Sequence, residues 1–294
     1  MLTYFVTFSD FVRFVVVKFT EAVRVRSRST CLYIAAIIRH LRYIYTYADL
    51  MRRSRSIVTF FLVIAYTLLT LLSSLPASFP LSLPPSSLSF DWESISGKYQ
   101  LYRLLTCLLS NGSFKPSFLL HLPLLFFSSA TYEASPFSTS MHENPSADYA
   151  WMVCLAAVFF PIFAYGYRLS FLSEPFLFLL VYVLSRRFAD KRIPLLRIPY
   201  ILLPWLYAPF YIALKTVDFS FLPLKGEHES HLFAHISIPL TNFMLGMFLG
   251  HCYFYTQGIT HYLNNEVSPI STPDWLVRLM NGLGAENNVK SREE

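Results

Sequence analysis

Charge is what this chain lacks most. Only 14% of its 294 residues are charged, where a soluble domain of ordinary composition carries about 25%. The deficit is uneven. Long stretches hold almost no charge, and the pieces between them are crowded with it, which argues against one large or two small soluble domains. Paired cysteines are missing too. Cys31, Cys107, Cys154 and Cys252 share no metal-ligand spacing such as CxxC, which removes a zinc site or a disulfide framework. Three of them lie in or beside apolar stretches and read as small apolar fillers. No internal repeat is visible, so a duplicated transporter half is not indicated. Facing charges within the apolar stretches are almost wanting, which counts against a small-solute transporter or channel.

What is present is a series of apolar runs. A helix needs about 20 apolar residues to cross a bilayer core, range about 17–25. Ile57 to Leu75 has neither charge nor proline and is a first span. Phe114 to Ala130 is a shorter second, with Lys115 snorkelling at its end. Tyr149 to Tyr167 is a third, and Phe171 to Leu184 a fourth, interrupted early by Glu174-Pro175. Tyr200 to Leu214 is a fifth, containing Pro204 and Pro209, and Ile236 to Tyr255 a sixth. Spans two, four and five are short for a bilayer about 30 Å thick. Between them, Ala77 to Asp91 is Pro/Ser-rich and reads as an irregular loop. Glu133 to Asp148 and Lys215 to His235 read as polar loops, and Asn264 to Glu294 as a polar tail.

The expected class is an all-α membrane protein with six transmembrane helices. Residues 1–56 form a basic N-terminal extension, 57–257 the membrane domain and 258–294 a polar tail. Arg52, Arg53 and Arg55 precede the first span, and Arg186, Arg187, Lys191, Arg192 and Arg197 follow the fourth. By the positive-inside rule both termini and the latter loop are cytosolic. The net charge of +6 is concentrated in the extension, where ten basic residues fall in the first 55 positions. That composition suits a cytosolic anchor facing anionic lipid, or an Arg-rich, acid-poor targeting segment. Nucleic acid is not an expected partner.

The last span carries Gly246-xxx-Gly250 followed by His251. Small residues four apart let a neighbouring helix approach closely, and an intramembrane histidine marks a candidate site or a hydrogen-bonded helix contact. A histidine there resembles rhomboid intramembrane proteases. Those enzymes need GxSG at the start of the fourth span, since a buried serine is inert without a base in reach. Here that stretch holds Ser170 and Ser173 with no flanking glycine, and Gly166 lies too far from Ser173.

Other stretches resemble the Derlin family of rhomboid pseudoproteases. Tyr99-Gln100-Leu101-Tyr102-Arg103-Leu104-Leu105-Thr106 resembles its YQxWRLxT, continuing through Gly112 and Phe118 to Glu133. Ala147-Asp148-Tyr149, the run Leu180 to Arg187 ending in Ser185-Arg186-Arg187, Leu203-Pro204-Trp205, the Gly246/Gly250/His251 element and Ser271-Thr272-Pro273 follow in family order. Departures are Tyr102 for the usual Trp, Cys107 for a common Asn, and a tail around Asn281 to Glu286 without the ATPase-binding motif of several Derlins.

The resemblance implies a rhomboid-like six-helix bundle, no catalytic residue, no metal and no cofactor. It implies an endoplasmic-reticulum membrane protein that helps misfolded proteins return to the cytosol for degradation. Implied partners are misfolded substrates, a membrane ubiquitin ligase complex, a cytosolic AAA ATPase recruited other than by this tail, the bilayer, and further copies or relatives of the chain. A second setting is protein import across an ER-derived plastid membrane. A third reading, from another class, is an active intramembrane serine protease. Moving a polar chain through intact lipid strips water from its backbone, and short spans would thin the bilayer. The expected lateral gate lies between the second and fifth spans, with Ser110, Asn111 and His121 on one wall and Pro204 and Trp205 opposite. Glu133 is expected to cap or bridge at the cytosolic end of the second span.

Overall fold

The structure is a computed structural model describing residues 56–75, 82–112, 114–134, 145–192, 198–220, 228–259 and 270–290. The basic extension of residues 1–55, with Cys31, lies outside them. Residues 56–280 form one compact unit; residues 1–55 and 281–294 group separately, and the described part of that group is the end of one helix. The described residues are helical, with no strand beyond a single bridge between Arg192 and Pro199.

The helices are α1 Ile57–Ser73, α2 Pro85–Leu88, α3 Trp92–Lys98, α4 Arg103–Leu109, α5 Pro116–Ala134, α6 Pro145–Tyr167, α7 Ser173–Arg187, α8 Leu203–Ser220, α9 His228–Phe254 and α10 Asp274–Lys290. By length and composition, α6 with 23 residues is the described helix able to cross a membrane; α1 is apolar but shorter, at 17. Helix dimensions alone therefore do not reach the six spans expected from hydropathy. The reason is visible in the packing. The other long helices are diluted by polar residues, of which His121, Ser128, Ser129 and Glu133 of α5, Lys215 of α8 and Asn242 of α9 are buried.

Helix α7 is the centre. Every residue from Ser173 to Ser185 is buried, and α5, α8 and α9 all pack on it. Its apolar run Phe176 to Leu184 supplies a surface on all sides, as expected of a helix with no exposed face. Glu174-Pro175 does not interrupt this helix; it forms the first turn, where proline costs no backbone bond. The outer helices keep large apolar side chains outward: Val158, Phe159 and Ile162 on α6, Phe210 on α8, Met244 and Phe248 on α9. An apolar exterior around a partly polar interior is what lipid as solvent selects.

Three expected polar segments are partly helix. Ala77 to Asp91 contains α2, the helices α5 and α6 take in Glu133 and Asp148, and the segment after Lys215 stays helical to Ser220. Both acids are buried because they have partners. Glu133 accepts from the backbone N–H groups of Val58 (3.1 Å) and Thr59 (2.8 Å) and from the Thr59 (2.7 Å) and Ser146 (2.6 Å) hydroxyls. It thus caps the start of α1, whose own Ser56 makes no side-chain cap, and joins α5 to α1 and α6. Asp148 accepts from the Thr272 hydroxyl at 2.5 Å. Leu276 and Met280 of α10 then close over Ala147, with Val58 and Trp151 beside them, so the expected tail contributes packing. Glu133→Ala should lower stability by at least about 2 kcal/mol, since a cap and several buried donors lose their acceptor; the midpoint of thermal unfolding in detergent measures it.

Candidate functional site

The helices between α1 and α5 are held by Arg103. Its buried guanidinium donates to Gln100 Oε1 (2.7 Å) and to the carbonyls of Ser86 (2.8 Å) and Ser89 (2.9 Å). One fork thereby ties α2 to α4, a geometry that lysine cannot copy. Tyr102 beside it is half exposed, its ring 6.0 Å from the guanidinium. Nearby, the Ser94 hydroxyl donates to Asp91 at 2.5 Å and holds that carboxyl below its ordinary value. Ser110 and Asn111 join this part to the end of α1. Ser110 Oγ accepts from Gly112 N–H at 3.2 Å, Asn111 N–H lies 3.5 Å from Thr70 Oγ1, and Ser73 Oγ donates to the Gly112 carbonyl. Gly112 adopts φ +70°, and a Cβ there would meet the Phe171 ring at 3.1 Å; that combination requires glycine.

Toward the C-terminal end of α7, the family elements converge. His251 Nδ1 and the Tyr182 hydroxyl are 2.7 Å apart, and Arg186 Nε donates to the same hydroxyl at 3.1 Å with its guanidinium over the Tyr182 ring. Ser185 donates to the Tyr182 carbonyl at 2.7 Å, and Arg187 lies against Phe188. Gly246 and Gly250 press α9 onto α7. A Cβ on Gly246 would overlap the Pro175 carbonyl oxygen and come within 2.5 Å of Phe178 Cβ; one on Gly250 would stand 3.1 Å from the Tyr182 ring. His251 is therefore a hydrogen-bonded helix contact.

The other end of α7 holds a cluster that sequence reading did not assemble. Glu174 forms a buried ion pair with Lys215 of α8. Its second carboxylate oxygen accepts from Tyr211 Oη and from Asn242 Nδ2 of α9 at 2.8 Å. Asn242 Nδ2 also reaches Tyr211 Oη at 3.2 Å. His121 of α5 lies against the Tyr207 and Tyr211 rings, with centroids 6.3 and 5.8 Å away. The expectation that apolar spans offer almost no facing charges is corrected by this one pair. Lys215, expected as the first residue of a polar loop, is buried inside the bundle. Two isolated opposite charges in otherwise apolar runs were the available signal, because each needs a counterion there.

The expected gate residues are divided between places. His121 is brought to α8, the helix bearing Pro204 and Trp205, and the seam between α5 and α8 is closed by its contacts with Tyr207 and Tyr211. Ser110 and Asn111 belong to the α1 junction instead. Pro204 is buried, whereas Trp205 is 61% exposed and lies edge-on to Phe243. Ser173 and His121 are not hydrogen-bonded to each other, and neither side chain has a hydrogen-bond partner among the described residues.

The Der1-like family model matches residues 56–274. A protein named probable derlin-2 homolog, from Dictyostelium discoideum, is 26% identical over 205 residues, covering 67% of this chain and 71% of that protein. Derlin-1 of Arabidopsis thaliana is 24% identical over 190 residues, covering 64% of this chain and 62% of that protein.

Proposed function

The chain belongs to the Der1-like family, and from that membership we propose that it is a non-enzymatic, six-span scaffold that helps misfolded proteins leave the endoplasmic-reticulum membrane for the cytosol. The six spans are α1, α5, α6, α7, α8 and α9, with both termini cytosolic. Helices α7 and α8, at 15 and 18 residues, reach about 23 and 27 Å at 1.5 Å per residue. Both fall below a hydrocarbon core about 30 Å thick, and the shortfall of the outward-facing α8 favours local thinning beside it. Polar groups face the interior behind this thinned wall, and the α5–α8 seam at His121, closed here by Tyr207 and Tyr211, is the place that would open for lateral entry. A membrane ubiquitin ligase and a cytosolic AAA ATPase would mark and pull the emerging chain.

The observation that carries this reading is the family match across the bundle, together with the absence of GxSG before α7. The test places photo-crosslinking residues at positions 121 and 205, with position 159 on the outer face of α6 as control. A misfolded membrane substrate should crosslink at 121 and 205 well above 159, and mild-detergent purification should recover a ubiquitin ligase and an AAA ATPase. Equal crosslinking at all three, with neither partner recovered, would refute it. Serine-probe labelling of Ser170 or Ser173 would favour the protease reading instead.

A further inference from the structure

We propose that the cavity lined by α1, α4, α5 and α7 is a built site for one internal water molecule, held by His121 and Ser173. The cavity measures about 10 Å³, and its walls include Leu62, Tyr66, Leu125 and Phe176 besides those two residues. That volume is about one water-sized sphere. Both ring nitrogens of His121 and the Ser173 hydroxyl are buried there without a hydrogen-bond partner among the described residues. Native folds rarely leave such groups uncompensated.

The donor and acceptor inventory fits. A neutral imidazole offers one N–H and one acceptor nitrogen, and a hydroxyl offers both functions. A water between them can donate to one group and accept from the other. Apolar cavities of molecular size stay dry, whereas a polar one with two to four partners holds water. The volume of about 10 Å³ leaves no room for a second molecule, so the occupancy is one.

The same residues suggest a serine–histidine dyad, and geometry rejects it. A space for one water admits no scissile peptide group. The adjacent carboxylate, Glu174, is already engaged by Lys215, Tyr211 and Asn242, so it does not orient the imidazole as a third catalytic member would. The pair holds a water instead of activating a nucleophile. That water ties α5 to α7 and lies beside the Glu174 ion pair, since Ser173 directly precedes Glu174. The inference rests on the cavity and not on the proposed cellular role.

Radiolytic footprinting tests it, because a bound water under an X-ray pulse yields hydroxyl radicals that oxidise adjacent side chains. In the full chain in lipid nanodiscs, the cavity residues Phe176 and Leu177 should be oxidised although buried. Phe160, equally buried and away from the cavity, should not. Ser173→Val, which fills the space and removes a partner, should abolish oxidation of Phe176 and Leu177 in protein that still elutes as a folded species. If that variant fails to fold, the contrast between Phe176 and Phe160 in the unaltered chain still decides. Protection of Phe176 and Leu177 equal to that of Phe160 would overturn the proposal, as would a high-resolution map with a direct Ser173–His121 hydrogen bond.

Discussion

Glu174→Gln should be the most damaging single exchange of an ionisable residue in the bundle, lowering stability by about 3–5 kcal/mol. Removing one member of a buried ion pair leaves the other charge uncompensated, and such losses fall in that range. Here the orphan would be the Lys215 ammonium on α8. Lys215→Met should cost less, because the carboxylate keeps two donors in Tyr211 and Asn242. The double variant Glu174→Gln/Lys215→Met should recover most of the loss. Both charges are then gone, and glutamine can still accept from Asn242. Unfolding midpoints of the four proteins, measured in one detergent, check this. An additive double variant would mean that the two side chains do not act as a pair.

Gly246→Ala should be comparably severe for a steric reason. Inserting methyl groups into a packed core usually costs about 1–3 kcal/mol, but side chains normally absorb the strain. At Gly246 the nearest atoms include the Pro175 carbonyl oxygen and Phe178 Cβ, both fixed to the α7 backbone. Helices α7 and α9 would have to separate, so the loss should reach the top of that range or pass it. Gly250→Ala meets Tyr182 and the Leu179 Cα at 3.1–3.3 Å, which a shift of a few tenths of an ångström relieves, and should cost less than Gly246→Ala. A size-exclusion profile and unfolding midpoint for each variant will order them, and equal losses would contradict the packing described.

How much of this was legible in the sequence depends on the range of each signal. The run after Ile57 and the Gly246/Gly250 spacing are local patterns, and both appear where the pattern put them. Glu133, Glu174 and Lys215 were harder. A lone charge beside an apolar run reads as the edge of a loop until its partner is known. Thr59 is 74 residues from Glu133, and Asn242 is 68 residues from Glu174. No window of sequence contains both members of such a pair. The shared cavity of His121 and Ser173 was illegible for the same reason, although both residues were noted individually. Among the gate residues, His121 reaches α8 because α5 packs there. Ser110 and Asn111 could not follow, since the turn at Gly112 binds them to α1.

The burial of α7 on every side has a last consequence. A bundle with a helix along its axis has no room for an axial pore. If the chain moves polypeptides as proposed, they must travel along its flank, where one copy supplies a single protein wall. The opposite wall must be lipid or a second subunit. Rate should then respond to acyl-chain length and to the density of neighbouring copies, two variables to which a closed tunnel would be indifferent.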